Sequence, residues 1–133
     1  MSDVTRGLLD TSVIIDHPKI DISLLPEESA VSVITVAELA AGPLDTDDNA
    51  ERARRQETLQ WVAATWDPLP FDAAAARAYG RVFAAVRGVG RTPRSRFADL
   101  LIAATAIAND LPLYTRNPSD FFGLGDLLHI VTV

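Results

Sequence analysis

The 133-residue sequence has no cysteine, one methionine and a single lysine, Lys19. Without thiols there is no disulfide framework, no thiolate metal centre and no thiol nucleophile, and the chain suits a reducing compartment, the cytoplasm. Long apolar runs are missing too. Stretches such as residues 100–108 fall far short of the roughly 20 residues that cross a bilayer. Residues 1–10 carry Asp3 and Asp10 and no apolar segment of useful length, so no signal peptide is read and no membrane partner is expected. Basic residues are outnumbered, 12 against 18 acidic, for a net charge of −6. Bulk charge therefore cannot draw the chain to a polyanion, and any nucleic-acid contact needs a local basic patch.

What is present is an ordinary globular composition, 48% hydrophobic and 23% charged, at a length that suits one domain over residues 1–133. Short apolar runs alternate with helical patterns. Strands are expected at residues 7–9, 30–34, 113–115 and 129–133. Helices are expected at 13–16, stopped by Pro18, at 35–41, ended by Gly42-Pro43, at 47–66, at 72–86 and at 97–109. The order βαβα implies a three-layer α/β/α fold around a mostly parallel central sheet.

Ligands of open parallel sheets sit at the carboxyl ends of the strands. Asp10 ends the first strand, Glu38 follows the second, Asp99 lies near the start of the apolar helix at 97–109, and Asp120 follows the strand at 113–115. Four converging carboxylates repel one another unless a divalent cation neutralises them. A hard ion, Mg²⁺ or Mn²⁺, suits oxygen-only ligands better than zinc, and Mg²⁺ shares its coordination with phosphate. Each acid also has a plainer reading. Asp10 before Thr11-Ser12 is good N-cap chemistry, and Thr35-Val36-Ala37-Glu38 fits a capping box with Glu38 reaching back to the Thr35 amide. Asp99 follows a possible N-cap, Ser95, and favours the helix dipole; Asp120 suits a turn with Asn117, Pro118 and Ser119.

The wording around the acids separates these readings. Leu8-Leu9-Asp10-Thr11-Ser12-Val13-Ile14-Ile15, Thr35-Val36-Ala37-Glu38-Leu39, Phe97-Ala98-Asp99-Leu100-Leu101-Ile102 and Leu113-Tyr114-Thr115-Arg116-Asn117-Pro118-Ser119-Asp120-Phe121 together resemble the PIN-domain family. More narrowly, the chain resembles the VapC-type toxins of bacterial toxin–antitoxin pairs. The resemblance implies a PIN-like fold and an acidic quartet, Asp10, Glu38, Asp99 and Asp120, that binds Mg²⁺ or Mn²⁺ and cuts RNA endonucleolytically. It implies polar supporting roles for Thr11, Ser12, Thr115 and Asn117. It further implies a homodimer, silenced by a VapB-like antitoxin whose carboxyl-terminal segment wraps the toxin and brings a basic residue to the acids. Some PIN domains place an acid directly after the Thr of the fourth strand. Here Arg116-Asn117 stand there, which leaves Asp120 as the fourth acid.

Metal-assisted hydrolysis needs no side-chain nucleophile. His17 and His129 match none of these motifs and are read as structural, which disfavours metal-free cleavage by histidine acid–base chemistry. Arg87, Arg91, Arg94 and Arg96 form a run without an acid just before Asp99. With Arg116 they make a candidate basic lip, Arg91, Arg94, Arg96 and Arg116 being the expected RNA contacts, against the alternative of a solvated loop. Trp61 and Trp66 are read as core or interface anchors rather than base-stacking platforms. A receiver-type signalling domain lacks its late lysine here, and a haloacid-dehalogenase phosphatase would need an acid where Ser12 stands. The serious alternative is a non-catalytic PIN-like module that binds RNA or protein.

Overall fold

The computed structural model describes residues 4–133. Four strands, β1 (Arg6–Leu9), β2 (Glu28–Ala30), β3 (Leu113–Thr115) and β4 (Ile130–Thr132), form one sheet in the order β2-β1-β3-β4. All three pairings are parallel, with Leu8 opposite Leu113 and Leu9 opposite Tyr114 at the centre. Parallel strands need crossovers, supplied here by α1 (Thr11–Ile15), α2 (Val33–Ala41), α3 (Asn49–Thr65), α4 (Ala73–Gly88) and α5 (Phe97–Ala108). Among the described residues no helix is long and apolar enough to cross a membrane.

Side chains alternate across a strand, so β1 feeds two cores. Leu8 and Leu113 pack with Ala78, Val82, Leu100, Ile102 and Phe121 under α4 and α5. Leu9 and Tyr114 pack on the other face with Val13, Ile14, Leu39 and Val62, from α1, α2 and α3. Because α5 meets the sheet and its neighbours at once, it is buried almost all round, as its apolar sequence requires. Thus the expected α/β/α architecture is the one observed.

Local boundaries differ where one capping group outcompetes another. The strand expected at 30–34 is instead Glu28–Ala30, because the buried Ser32 caps α2 by accepting the Thr35 amide at 3.2 Å. Helix α2 therefore starts at Val33, and Glu38 stands at its sixth position, beyond reach of any capping box. Asp48 and Asp72 cap α3 and α4 by accepting the amides of Ala50 and Ala75. Ser95 does not cap α5; its hydroxyl donates to the Thr92 carbonyl, and Arg96 occupies the cap position. Trp66 lies just past α3, donates its indole N–H to Ser29 Oγ at 3.2 Å and packs edge-on against Trp61, which also stacks on His17. These rings anchor packing, as expected.

Gly7 sits beneath the Tyr114 ring. A Cβ there would lie 2.3 Å from Tyr114 Cε1, with Pro26 closing the other side at 3.3 Å. Since Tyr114 is nearly fully buried in the second core, its ring has little freedom to retreat. Gly7→Ala is expected to destabilise the protein by roughly 1–3 kcal/mol, the usual cost of overpacking. Urea denaturation checks this, and an unchanged midpoint would contradict the packing described.

Candidate active site at the carboxyl edge of the sheet

β1 and β3 are central neighbours, so the residues that follow them meet. The Asp10 amide donates to the Tyr114 carbonyl at 2.9 Å, which locks the end of β1 against β3. Asp10 is 3% exposed. It occupies the N-cap position of α1 yet its side chain makes no capping hydrogen bond. Instead Ser12 Oγ and Thr115 Oγ1 each donate to Asp10 Oδ2 at 2.8 Å. Oδ1 is buried with no partner at all. A carboxylate that ignores its helix and leaves an oxygen unpaired in the interior is not acting as a cap, because an unsatisfied buried acceptor costs stability. The pKa of Asp10 is raised by burial, which outweighs the lowering by the Ser12 and Thr115 hydroxyls and the Thr11 backbone, and the charge of Asp120 adds to the rise.

The two hydroxyls are fixed in turn. Ser12 Oγ accepts from the Arg116 amide at 3.1 Å, and Thr115 Oγ1 accepts from the Asn117 amide at 3.0 Å. Asn117 thus contributes through its backbone, while its side chain, expected in a supporting role, is exposed. Thr11 Oγ1 donates to Glu38 Oε1 at 2.6 Å. Having one proton, that hydroxyl must accept in its 2.9 Å contact with Thr35, so the buried Thr35 donates. The sequence reading treated Thr35 only as a cap. Its place three residues before Glu38, on the same helix face, was the available signal.

Asp99 lies in the first turn of α5 and is half-buried. Its carboxyl is pushed from an ordinary 3.8 up to about 6, first by burial and then by the charges of Asp10, Asp120 and Glu38, against the lowering influence of Arg96. All four acids therefore share one field. Asp120, on the turn Pro118–Phe121 after β3, accepts a salt bridge from Arg96. Among the described residues, no three Asp, Glu or His side chains close around a single point. Glu38 and Asp120 are each drawn aside, by Thr11 and by Arg96.

The arginines expected to form a lip all lie near this edge, but most are engaged. Arg91 donates to the Ser119 carbonyl at 2.6 Å and stacks over Phe122, with its guanidinium carbon 4.8 Å from the ring centre. Arg116 pairs with Asp16 at 3.4 Å, and Arg94 is exposed. On the opposite side of Glu38, a groove of about 710 Å³ runs between α1, α2 and α3, lined by Thr11, Lys19, Glu38, Arg54 and Arg55. It borders the acids without containing Asp10, Asp99 or Asp120.

A model of the PIN domain matches residues 7–122. The chain belongs to the PIN-domain family. Ribonuclease VapC8 of Mycobacterium tuberculosis strain H37Rv is 42% identical over 105 residues, covering 78% of this chain and 93% of that protein. Ribonuclease VapC5 of the same strain is 40% identical over 121 residues, covering 89% and 87%. Among solved structures, VapBC-5 of M. tuberculosis, described as a member of the VapBC family of toxin–antitoxin systems, superposes with a TM-score of 0.86. It is 37% identical and covers 97% of this chain and 99% of that one. FitAcB of Neisseria gonorrhoeae superposes at 0.72 with 27% identity, covering 94% and 96%. The four-stranded parallel sheet with helices on both faces is accordingly the PIN fold, and the matched span contains all four acids.

The raised pKa of Asp99 gives this PIN domain a pH signature. A carboxyl whose folded pKa exceeds its unfolded one stabilises the fold below pH 3.8, and that contribution is lost as pH rises to about 6. In EDTA, stability should fall across this window. Asp99→Asn should flatten the fall and stabilise the protein at pH 7 by roughly 1–2 kcal/mol, allowing for solvent screening. Urea titrations of both proteins at pH 4 and pH 7 measure it; parallel pH dependences would contradict the assignment.

Proposed function

We propose that this chain is a metal-dependent endoribonuclease, the toxin of a VapBC-type pair, which hydrolyses RNA phosphodiesters with Asp10, Glu38, Asp99 and Asp120. The observation that carries the reading is the bare, buried Oδ1 of Asp10 within the shared field of three further acids. The resemblance to proteins named ribonucleases supports the substrate class.

The donor set fits a hard divalent cation. It consists of oxygens only, it carries excess negative charge, and one buried acceptor stands free. Mg²⁺ takes one or two carboxylates directly and fills its other positions with water and phosphate, so it does not need a cage of three. Asp10 and Asp99 would hold the ion, with Glu38 and Asp120 completing the acidic set; Mn²⁺ can take the same place. When bound, such an ion draws charge from a phosphodiester oxygen and lowers the pKa of water. The chain's own groups position the acids. Ser12 and Thr115 hold Asp10 Oδ2 so that Oδ1 alone stays free. Thr35 and Thr11 orient Glu38, and Arg96 orients Asp120. Arg91, Arg94, Arg96 and Arg116 supply local positive charge for RNA phosphates on a chain that is acidic overall, since each guanidinium has more donors than the chain uses.

The solved VapBC-5 structure is of a toxin–antitoxin system, and a VapB-like antitoxin is the partner proposed here. In this reading the antitoxin segment lies in the groove of about 710 Å³ beside Glu38. A homodimer working in the cytoplasm completes the proposal.

Purified protein should cut a pool of structured RNAs with Mg²⁺ or Mn²⁺ and stop in EDTA. Asp10→Asn or Asp99→Asn should reduce cutting by more than about 100-fold, and Thr115→Val by roughly 10–100-fold, as expected for a group that orients a metal ligand. Either Asn variant cutting at the wild-type rate would refute the site. Cutting that persists in EDTA would refute the metal.

A further inference from the structure

A second cavity, of about 240 Å³, opens beside Asp120 between the turn preceding α5 and the turn following β3. Arg91, Thr92, Ser95, Arg96, Asp120 and Phe122 line it. We propose that this cavity is a subsite for one nucleotide adjoining the cut, with a backbone phosphodiester between Arg91 and Arg96 and a base against Phe122. It rests on the ribonuclease reading above and adds where the RNA is gripped.

Three independent observations meet here. First, both arginines have donors to spare. Arg91 uses Nη1 for the Ser119 carbonyl and Arg96 uses Nη1 for Asp120, and neither guanidinium makes another hydrogen bond among the described residues. The Thr92 hydroxyl has no partner either, while Ser95 Oγ spends its proton on the Thr92 carbonyl. Second, the charge is set for a phosphodiester. Two guanidinium groups less one carboxylate leave a single net positive charge, matched to the single negative charge of an internucleotide phosphate. Third, Phe122 is 56% exposed although it is apolar and held in place by Arg91 across one face. A fixed, exposed aromatic ring beside paired guanidinium groups is the combination that binds single-stranded nucleic acid, by stacking on the ring and charge at the backbone. At about 240 Å³ the cavity lies below the roughly 300 Å³ at which pockets for whole drug-sized ligands begin, which fits one phosphate and its sugar with the base outside on the Phe122 ring.

Arg96 also holds Asp120, so its loss disturbs the acids and the cavity together. Arg91 holds the Ser119 carbonyl next to Asp120, so it too bears on that acid; Phe122, whose side chain makes no hydrogen bond, separates the two effects. The test is an NMR titration of wild-type protein, with Ca²⁺ in place of Mg²⁺, using the dinucleoside monophosphate ApA. The arginine Nε–H signals of Arg91 and Arg96 and the ring signals of Phe122 should shift together and saturate. Inorganic phosphate should move the arginines only, and adenosine the ring only. In RNA cleavage, Phe122→Leu should raise KM about tenfold with kcat retained, since it removes ground-state binding. No saturable shift, an equal shift at Arg54 and Arg55, or a fall in kcat with KM unchanged would each overturn the subsite. The dinucleotide titration requires no cutting: saturation without RNA cleavage would overturn the ribonuclease reading alone, and cleavage without saturation the subsite alone.

Discussion

Everything at the carboxyl edge of the sheet depends on the burial of one carboxylate. Asp10 directly follows β1, whose two neighbours in the sheet are β2 and β3, and its amide is locked to Tyr114 of β3. The side chain cannot reach water, so its charge must be met locally. Two hydroxyls meet half of it, at Oδ2. The other oxygen has no partner, and among the described residues no salt bridge reaches Asp10. A core position normally excludes such a group, because a buried carboxylate oxygen without a partner costs stability.

The surrounding residues follow from this. Ser12 and Thr115 would be unremarkable surface hydroxyls elsewhere; here each is fixed by a backbone amide from the segment after β3, so that segment and α1 are tied through Asp10. The Arg-rich connection before α5 serves Asp120 in the same way. Arg91 grips the Ser119 carbonyl and Phe122, and Arg96 grips Asp120, so two arginines fix the turn that carries the fourth acid. A loop that reads in sequence as a basic surface is, in the fold, a clamp whose unused donors still face outward.

Much of this was legible in the sequence because hydrophobic periodicity and helix stops are local signals. The apolar run of α5, the Gly42-Pro43 break after α2 and the three-residue strand Leu113–Thr115 all fall where the pattern puts them. The errors are local competitions between caps. Ser32 and Thr35 are both good capping residues and both are buried; a long-range bridge to Leu69 holds Ser32 extended so that it takes the cap, which shortens β2 and moves Glu38 out of the first turn. The four acids stood out in the sequence through their motifs, three of them also by following strands and Asp99 by opening an apolar helix, and the fold brings their charges into one field. Their partners were not. No pattern states that Arg96 points at Asp120 across 24 residues, that Arg116 turns to Asp16, or that Asn117 acts through its amide rather than its side chain. Such pairings are set by how α5 and the segment after β3 pack, which is long-range information.

The central claim is that the shared acidic field, anchored on Asp10 Oδ1, is a divalent-cation site. Calorimetric titration of the protein with Mn²⁺ at pH 7, wild type beside Asp10→Asn, addresses it directly. Saturable binding in the wild type that is lost in the variant, with both proteins folded, is the predicted result. Wild-type protein that binds no Mn²⁺, or a variant that binds it equally well, would contradict the account.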